Sequence, residues 1–142
     1  MTVETVMTPS PHSIGKDQTM AKAHEVMRQY RIRHLPVLEA GQIIGVVTER
    51  DLHLMETLPD VKPEEVQVED AMTSDPYIVD PATPVEEVAL AMAEHKYGCA
   101  VVMKDGKLKG IFTTVDALRA LAALIRAPKR ATTSKGRKRR AA

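Results

Sequence analysis

Two copies of one phrase decide the fold: Gly45-Val46-Val47-Thr48-Glu49-Arg50-Asp51 and Gly110-Ile111-Phe112-Thr113-Thr114-Val115-Asp116. In each copy, β-branched or aromatic residues after the glycine favour a buried strand. A threonine followed three residues later by an aspartate is typical of a helix start, so Thr48 and Thr113 are predicted N-caps. The same junction presents a hydroxyl and a carboxylate beside free N–H groups, which suits a phosphate-bearing, hydroxyl-rich ligand. An ordinary capping box that binds nothing is the alternative.

The phrase belongs to a longer repeat. Residues 7–51 align with residues 72–116 without a gap, and nine of the 45 positions are identical. Unrelated segments of ordinary composition would share about three. A solenoid needs at least three stacked units, so two copies of this length do not suit one. The chain is therefore interpreted as a tandem duplication whose halves pack about a pseudo-two-fold axis.

Length and composition limit the class of protein. A chain of 142 residues can bury one core, so we expect one domain made of two halves. The sequence has no apolar run long enough to span a bilayer and no cleavable leader, so no membrane contact is expected. The single cysteine, Cys99, cannot form an internal disulfide, which agrees with a reducing compartment. These features together predict a cytoplasmic protein.

The charge is divided unevenly along the chain. Residues 1–125 hold 12 Lys/Arg and 19 Asp/Glu, whereas residues 126–142 hold 8 Lys/Arg and no acidic residue. A segment this basic and this poor in apolar residues is predicted to be a disordered tail, at 127–142. Such a tail can contact nucleic acid through residues 126–142, or it can be solvated without a binding role.

Apolar periodicity predicts the same order of elements in each half. In the first half, a helix at 20–30 is followed by a hairpin of two strands. In the second half, Thr83 and Pro84 predict a capping box with proline as the first helical residue. Each half reads β-α-β-β-α, and the fold class is α+β with sheets packed against helices. The predicted boundaries are a first repeat at 1–56, a linker at 57–70 and a second repeat at 71–126.

This order resembles the cystathionine β-synthase (CBS) domain. The resemblance is carried by the opening Met7-Thr8, by the Leu-Pro-Val strand at 35–37 and by the two repeated phrases. The body of the chain, residues 3–125, is similar to a stand-alone tandem CBS pair. The resemblance implies regulatory binding of AMP, ADP, ATP, S-adenosylmethionine or an NAD-type ligand in two clefts between the halves. It also implies a flat homodimer of two pairs and an effector protein that responds to a conformational shift.

The resemblance implies two sites, each shared between the halves. The first implied site has these members: Thr48, Asp51, Thr73, Tyr77 and Ile78. The mirror site has these members: Thr113, Asp116, Thr8, His12 and Ser13. In each site the threonine and aspartate would bind ribose hydroxyls, since an ionised carboxylate accepts from both. The first strand of the other half would hold the base.

Phosphate groups need cations, and the resemblance places these just before the second strand. The first half supplies Arg31, Arg33 and His34 there, whereas Gly98 and Cys99 occupy the positions equivalent to Arg33 and His34. The two clefts are therefore expected to differ, with the phosphates held mainly by the first half's cations or with one cleft empty or taking an uncharged adenosyl group.

No catalytic pattern is found in the sequence. The five histidines are scattered, one cysteine cannot build a zinc site, and Gly-rich phosphate loops and dinucleotide fingerprints are absent. The sequence therefore predicts a protein that is not an enzyme, with no catalytic cofactor and no metal site. Besides the nucleotide sensor, two alternatives remain open: a CBS dimer that contacts nucleic acid through its basic tail, and a ligand-free oligomerisation module.

Overall fold

The structure is a computed structural model that describes residues 1–128. Within this range the helices are a 3-10 helix at Val3–Thr5, then α1 (Met20–Tyr30), α2 (Glu49–Glu56), α3 (Val68–Ala71), α4 (Val85–His95) and α5 (Thr114–Arg126). The strands are β1 (Thr8–Pro9), β2 (Ile14–Gly15), β3 (His34–Glu39), β4 (Gln42–Thr48), β5 (Thr73–Ser74), β6 (Ile78–Val79), β7 (Cys99–Lys104) and β8 (Lys107–Thr113). Apart from Ala127 and Pro128, the predicted tail at 127–142 lies outside the described residues.

The described strands form two four-stranded sheets with the same plan. Their orders are β2-β3-β4-β5 and β1-β8-β7-β6. In each sheet an antiparallel hairpin lies in the middle, and a short parallel strand pairs with one side of it. The prediction of an α+β fold with two repeats is thereby confirmed. Each hairpin turns through two residues of positive φ, Ala40-Gly41 and Asp105-Gly106, as a tight hairpin with right-handed twist requires.

The fourth strand of each sheet comes from the other half of the sequence, which the sequence did not predict. Strand β1 pairs with β8, so that Thr8 lies opposite Ile111. Strand β5 pairs with β4, so that Thr73 lies opposite Val46. The two halves are therefore joined by backbone hydrogen bonds as well as by side chains.

Two glycines of the repeated phrase make this exchange sterically feasible. A Cβ at Gly45 would lie 2.7 Å from both the Met72 sulfur and the Thr73 carbonyl oxygen. A Cβ at Gly110 would overlap the side chain of Met7. Contacts this short do not occur in folded proteins, so glycine is required where the crossing strand passes. The packing explains why the glycine and the methionine both recur in the two halves.

Each half of the sequence also lends a buried valine to the other half's core. Val3 packs with Val79, Val88 and Phe112, whereas Val68 packs in the core of the first half. Both valines are fully buried, and they occupy equivalent positions of the repeat. The segment expected to be a linker, 57–70, thus ends in residues that complete the first core. We propose that the first repeat spans residues 1–56 and the second spans residues 71–126.

Helix α4 begins differently from the prediction. Thr83 caps nothing, and Pro84 is the N-cap residue, with an extended backbone, so that the first helical residue is Val85. The reason is the amino-terminal segment, because the Val85 N–H donates to the Met1 carbonyl and Thr2 pairs with Pro84. Helix α1 spans the residues predicted for it, 20–30, and the Thr19 hydroxyl accepts the Lys22 N–H at its start.

Candidate ligand-binding clefts

Both predicted strand-to-helix corners are present and have the same local geometry. At the first, the Thr48 hydroxyl accepts the Asp51 N–H at 3.0 Å, and the Asp51 carboxylate accepts the Thr48 N–H at 2.9 Å. At the second, the Asp116 N–H donates to the Thr113 hydroxyl at 3.2 Å, and the carboxylate accepts the Thr113 N–H at 2.9 Å. Both corners are therefore capping boxes. The difference between them lies in their surroundings.

A cleft of about 500 Å³ opens beside the second corner, and we call it the larger cleft. It is lined by these residues: Thr8, Pro9, Ser10, Pro11, His12, Arg31, Ile32, Arg33, His34, Ile111, Thr113, Thr114, Val115, Asp116 and Arg119. Four of the five residues of the implied mirror site are among them, together with Arg33 and His34. Ser13 is not among the lining residues; it lies just beyond, before strand β2. The cleft therefore joins residues from both halves of the sequence.

The Asp116 carboxylate is the buried polar centre of the larger cleft. Asp116 is only 6% exposed to solvent. Besides the Thr113 N–H, it accepts hydrogen bonds from the Thr8 hydroxyl at 3.0 Å and from the Thr113 hydroxyl at 3.2 Å. The Thr8–Asp116 hydrogen bond also links the two halves across 108 residues of sequence.

Three arginines of the described residues line the larger cleft together with this carboxylate. Arg31 and Arg33 come from the segment between α1 and β3, and Arg119 comes from α5. The Arg119 guanidinium lies 3.9 Å from Asp116, and its side chain is 77% exposed. Arg119 was not singled out from the sequence, although it lies one helical turn after Asp116. The lining of the larger cleft therefore carries more positive than negative charge, which favours an anionic ligand.

A smaller cleft, of about 220 Å³, lies beside the first corner. It is lined by these residues: His34, Val46, Thr48, Thr73, Asp75, Pro76, Tyr77, Lys96, Tyr97, Gly98 and Cys99. Of the residues implied for this site, Thr48, Thr73 and Tyr77 line it, whereas Asp51 and Ile78 do not. The Asp51 carboxylate accepts the N–H of Thr48, the N-cap residue of the same helix. Ile78 is exposed to solvent.

Aromatic rings fill part of the smaller cleft. The Tyr77 and Tyr97 rings stack with centroids 5.0 Å apart, and the His95 and Tyr97 rings stack at 5.1 Å. Burial, with smaller contributions from Glu87 and Tyr97, raises the pKa of the Tyr77 hydroxyl. Burial also raises the pKa of the Cys99 thiol to about 12, so this thiol is unreactive at neutral pH.

His34 lies in the wall that the two clefts share, since it lines both. Its Nε2 would be only 3.1 Å from a Cβ at Gly98, so its ring packs against the Gly98 backbone. Burial lowers the pKa of His34 and the neighbouring Arg33 lowers it further, while Asp51 and Asp116 oppose these effects. A largely neutral imidazole thus separates two carboxylate-bearing corners.

Outside the clefts, a cluster joins α1 and α2. His24 Nε2 lies 2.5 Å from a Glu56 carboxylate oxygen, and the His24 and His53 rings are 5.8 Å apart. Within residues 1–128, no group of three or more His, Cys, Asp or Glu side chains is placed to hold a metal ion. Over the same residues, every helix is too short or too polar to cross a bilayer.

The fold and its two corners define a known class of protein. The CBS domain family matches residues 3–54 and 68–123, which together make up most of the chain. The chain therefore belongs to the CBS domain family and contains two CBS repeats. The matched segments begin at Val3 and Val68, the two valines that complete the opposite cores.

Relatives include both enzymes and small CBS proteins. The inosine-5′-monophosphate dehydrogenase of Korarchaeum cryptofilum is 31% identical over 115 residues, 80% of this chain. This chain spans about a fifth of that enzyme, 22%, and the match is to its CBS region rather than its catalytic domain. A protein from Vibrio cholerae described as an acetoin utilization protein (AcuB) has 29% identity and a TM-score of 0.77. The match covers 91% of this chain and 98% of that one.

The structure of a third relative, CBSX2, was determined in complex with AMP. CBSX2 is 29% identical to this chain, with a TM-score of 0.73, and the match covers 88% of this chain and 98% of CBSX2.

Proposed function

We propose that this protein is a regulatory module that binds an adenine nucleotide in its larger cleft and transmits binding to a partner protein. The supporting observation is that one cleft of about 500 Å³ brings together the buried Asp116 carboxylate and three arginines. Ligand sites of proteins usually measure about 300–1,000 Å³, which includes the larger cleft and excludes the smaller one.

The two kinds of side chain suit two parts of a nucleotide. The Asp116 carboxylate has lone pairs left for a ribose hydroxyl after accepting from Thr113 and Thr8. Arg31, Arg33 and Arg119 provide guanidinium groups, which bind phosphate in bidentate fashion. The apolar side chains of Ile32, Ile111 and Val115 leave a surface for the base. The candidates are therefore AMP, ADP and ATP, with S-adenosylmethionine as the alternative that carries no phosphate. The complex of CBSX2 with AMP supports AMP as the first candidate.

Transmission follows from the origin of the residues in the larger cleft. Thr8 and Arg33 come from the first half of the sequence, and Asp116 and Arg119 come from the second. A ligand that binds one arrangement of the halves more tightly shifts the population toward it, and an effector protein reads the shift. The protein is not an enzyme in this proposal, and it acts in the cytoplasm without a catalytic cofactor.

The exposed face of α5 supports a homodimer. Leu118, Leu121 and Ile125 recur at helical spacing, and each is more than half exposed. A second copy of the chain that covers this face would remove apolar surface from water. Light scattering is expected to give the mass of a dimer, and Leu121→Glu should reduce it to that of a monomer.

Calorimetric titration tests the nucleotide proposal. We expect micromolar binding of at least one of AMP, ADP, ATP and S-adenosylmethionine. Asp116→Asn should abolish this binding. The amide has no negative charge to attract a ribose hydroxyl, and its NH2 group is a donor where the carboxylate offers only acceptors. Asp51→Asn is the matched control, since Asp51 has the same capping role but does not line the larger cleft. Equal loss in both variants, or no heat with any of the four ligands, would refute the proposal.

The uneven charge of the sequence supports a second candidate. Residues 126–142 carry 8 Lys/Arg and no acidic residue, and a dimer would present two such segments. Retention on DNA or RNA at low salt, lost on truncation after Arg126, would support a nucleic-acid contact. Equal retention of the truncated protein would exclude it.

A further inference from the structure

We infer that Tyr97 closes the smaller cleft to nucleotides, so that each chain binds one nucleotide rather than two. This inference rests on the proposed function of the larger cleft and assigns a specificity-determining role to a residue of the other cleft.

The ring geometry leaves no space for a base between Tyr77 and Tyr97. A flat base between two aromatic rings needs about 7 Å between them, because each face requires a contact of about 3.5 Å. The Tyr77 and Tyr97 centroids are only 5.0 Å apart. The Tyr97 ring therefore covers the face of Tyr77 that lies toward it, so a base cannot stack on that face.

The Tyr97 ring is also held in place. Lys96 ends α4 in the left-handed conformation, with a φ of 60°, and the Tyr97 N–H then donates to the Met92 carbonyl at 3.0 Å. The ring stacks with His95 as well as with Tyr77. The backbone hydrogen bond and the two stacking contacts together keep the Tyr97 ring beside Tyr77.

The first half has the same two ring positions without the inserted ring. His12 and Tyr30 are equivalent to Tyr77 and His95, and their rings stack directly, at 3.6 Å. The residue equivalent to Tyr97 is Ile32, an aliphatic side chain that lines the larger cleft. At this position the larger cleft has an isoleucine and the smaller cleft has a tyrosine whose ring stacks on Tyr77.

The charges of the smaller cleft do not compensate for the lost space. Among the described residues, its charged lining consists of Lys96 and Asp75, which offset each other. Gly98 stands where Arg33 stands in the first half, and the titratable side chains His34, Tyr77, Tyr97 and Cys99 complete the polar lining. A phosphate that entered this cleft would find one lysine and no guanidinium there.

The test exchanges the two equivalent residues and counts bound ligand. Titration of the full chain with AMP, and separately with adenosine, should give one equivalent in the wild type. Tyr97→Ile should give two equivalents with at least one of the probes, and Asp51→Asn should leave the wild-type count unchanged. Tyr97→Phe, which keeps the ring, should stay at one. Ile32→Tyr should reduce the count to none, with circular dichroism as the check that this variant folds, since Ile32 also packs against the first core.

The outcomes separate this inference from the proposed function. Two equivalents in the wild type, or one in Tyr97→Ile with both probes, would overturn the inference and leave the proposed function standing. No binding in the wild type would remove the proposed function itself. If Tyr97→Ile fails to fold, Tyr97→Leu provides the same removal of the ring with a more flexible side chain.

Discussion

The two clefts begin from the same corner and end as different sites. Each has a threonine N-cap, an aspartate at the third helical position and a strand exchanged from the other half. One cleft is about 500 Å³ and holds three arginines, whereas the other is about 220 Å³ and holds stacked rings. Duplication therefore preserves the backbone frame, while a few flanking side chains decide whether a frame becomes a binding site.

The largest expected effect concerns the thiol of the smaller cleft. With a pKa of about 12 instead of 9.0, Cys99 should react with iodoacetamide at pH 8 about a thousandfold more slowly in the folded protein than in guanidinium. A His34→Cys, Cys99→Ser double variant places a thiol at the equivalent position beside Arg33, and it should react faster than the native Cys99. Equal rates for folded and unfolded Cys99 would show that the smaller cleft is open.

The next effect concerns the cations. Arg33→Gln should weaken AMP binding by about 10- to 100-fold, because a hydrogen bond to a charged group contributes about 1.5–3 kcal/mol. Adenosine, which has no phosphate, should lose much less affinity. Lys96→Gln is the control, since Lys96 lines only the smaller cleft. A loss of AMP affinity in Lys96→Gln as large as in Arg33→Gln would contradict the assignment of the phosphates to the larger cleft.

The Thr48 and Thr113 caps should contribute equally to the free energy of unfolding but differently to the affinity for AMP. Thr48→Ala and Thr113→Ala should each lower the free energy of unfolding by about 0.5–2 kcal/mol, as loss of an N-cap does, measured by urea denaturation. Thr113→Ala alone should also weaken AMP, because the Thr113 hydroxyl donates to Asp116 at 3.2 Å in the larger cleft. Equal AMP affinity in the two variants would remove Thr113 from the site.

The smallest expected effect is the pH dependence of stability caused by His34, which lies in the wall between the two clefts. Burial lowers the folded-state pKa of His34 below its ordinary 6.5, so the unfolded chain binds more protons between the two values. Stability should therefore be fully present above pH 6.5 and should fall as the pH drops through the folded-state pKa. The melting temperature at pH 5.5 relative to pH 7.5 should fall less in His34→Gln than in the wild type. The exposed His53→Gln is the control, and an unchanged pH dependence in His34→Gln would contradict this prediction.

The repeated phrase and the apolar periodicity were sufficient to predict the fold class, the order of the main elements and both capping corners. These features depend on local chemistry, such as β-branched residues before a threonine and an aspartate one turn later. The exchanged strands β1 and β5 were not predicted, because two residues carry no periodicity and their partners lie far away in the sequence. Thr83 failed as a cap for a similar reason, since the competing contact comes from Met1 and Thr2.

The site was predicted in part. Asp116 and Thr8 were named from the resemblance, and the Thr8 hydroxyl lies 3.0 Å from the Asp116 carboxylate. The asymmetry of the cations was expected because Gly98 and Cys99 occupy the positions equivalent to Arg33 and His34. Arg119 was missed because it follows Asp116 on an otherwise apolar helix, where a single arginine reads as a solvated residue. The stacking of Tyr97 on Tyr77 was missed because it joins two loops twenty residues apart, and ring packing between loops leaves no pattern in the sequence.

The most direct test of the account is a crystal structure of the protein grown with AMP. We expect density for one nucleotide per chain in the larger cleft, with a ribose hydroxyl on Asp116 and the phosphate among Arg31, Arg33 and Arg119. The Tyr97 ring should remain stacked on Tyr77 in the same crystal. Nucleotide density in the smaller cleft, or a larger cleft without nucleotide at saturating AMP, would contradict the account.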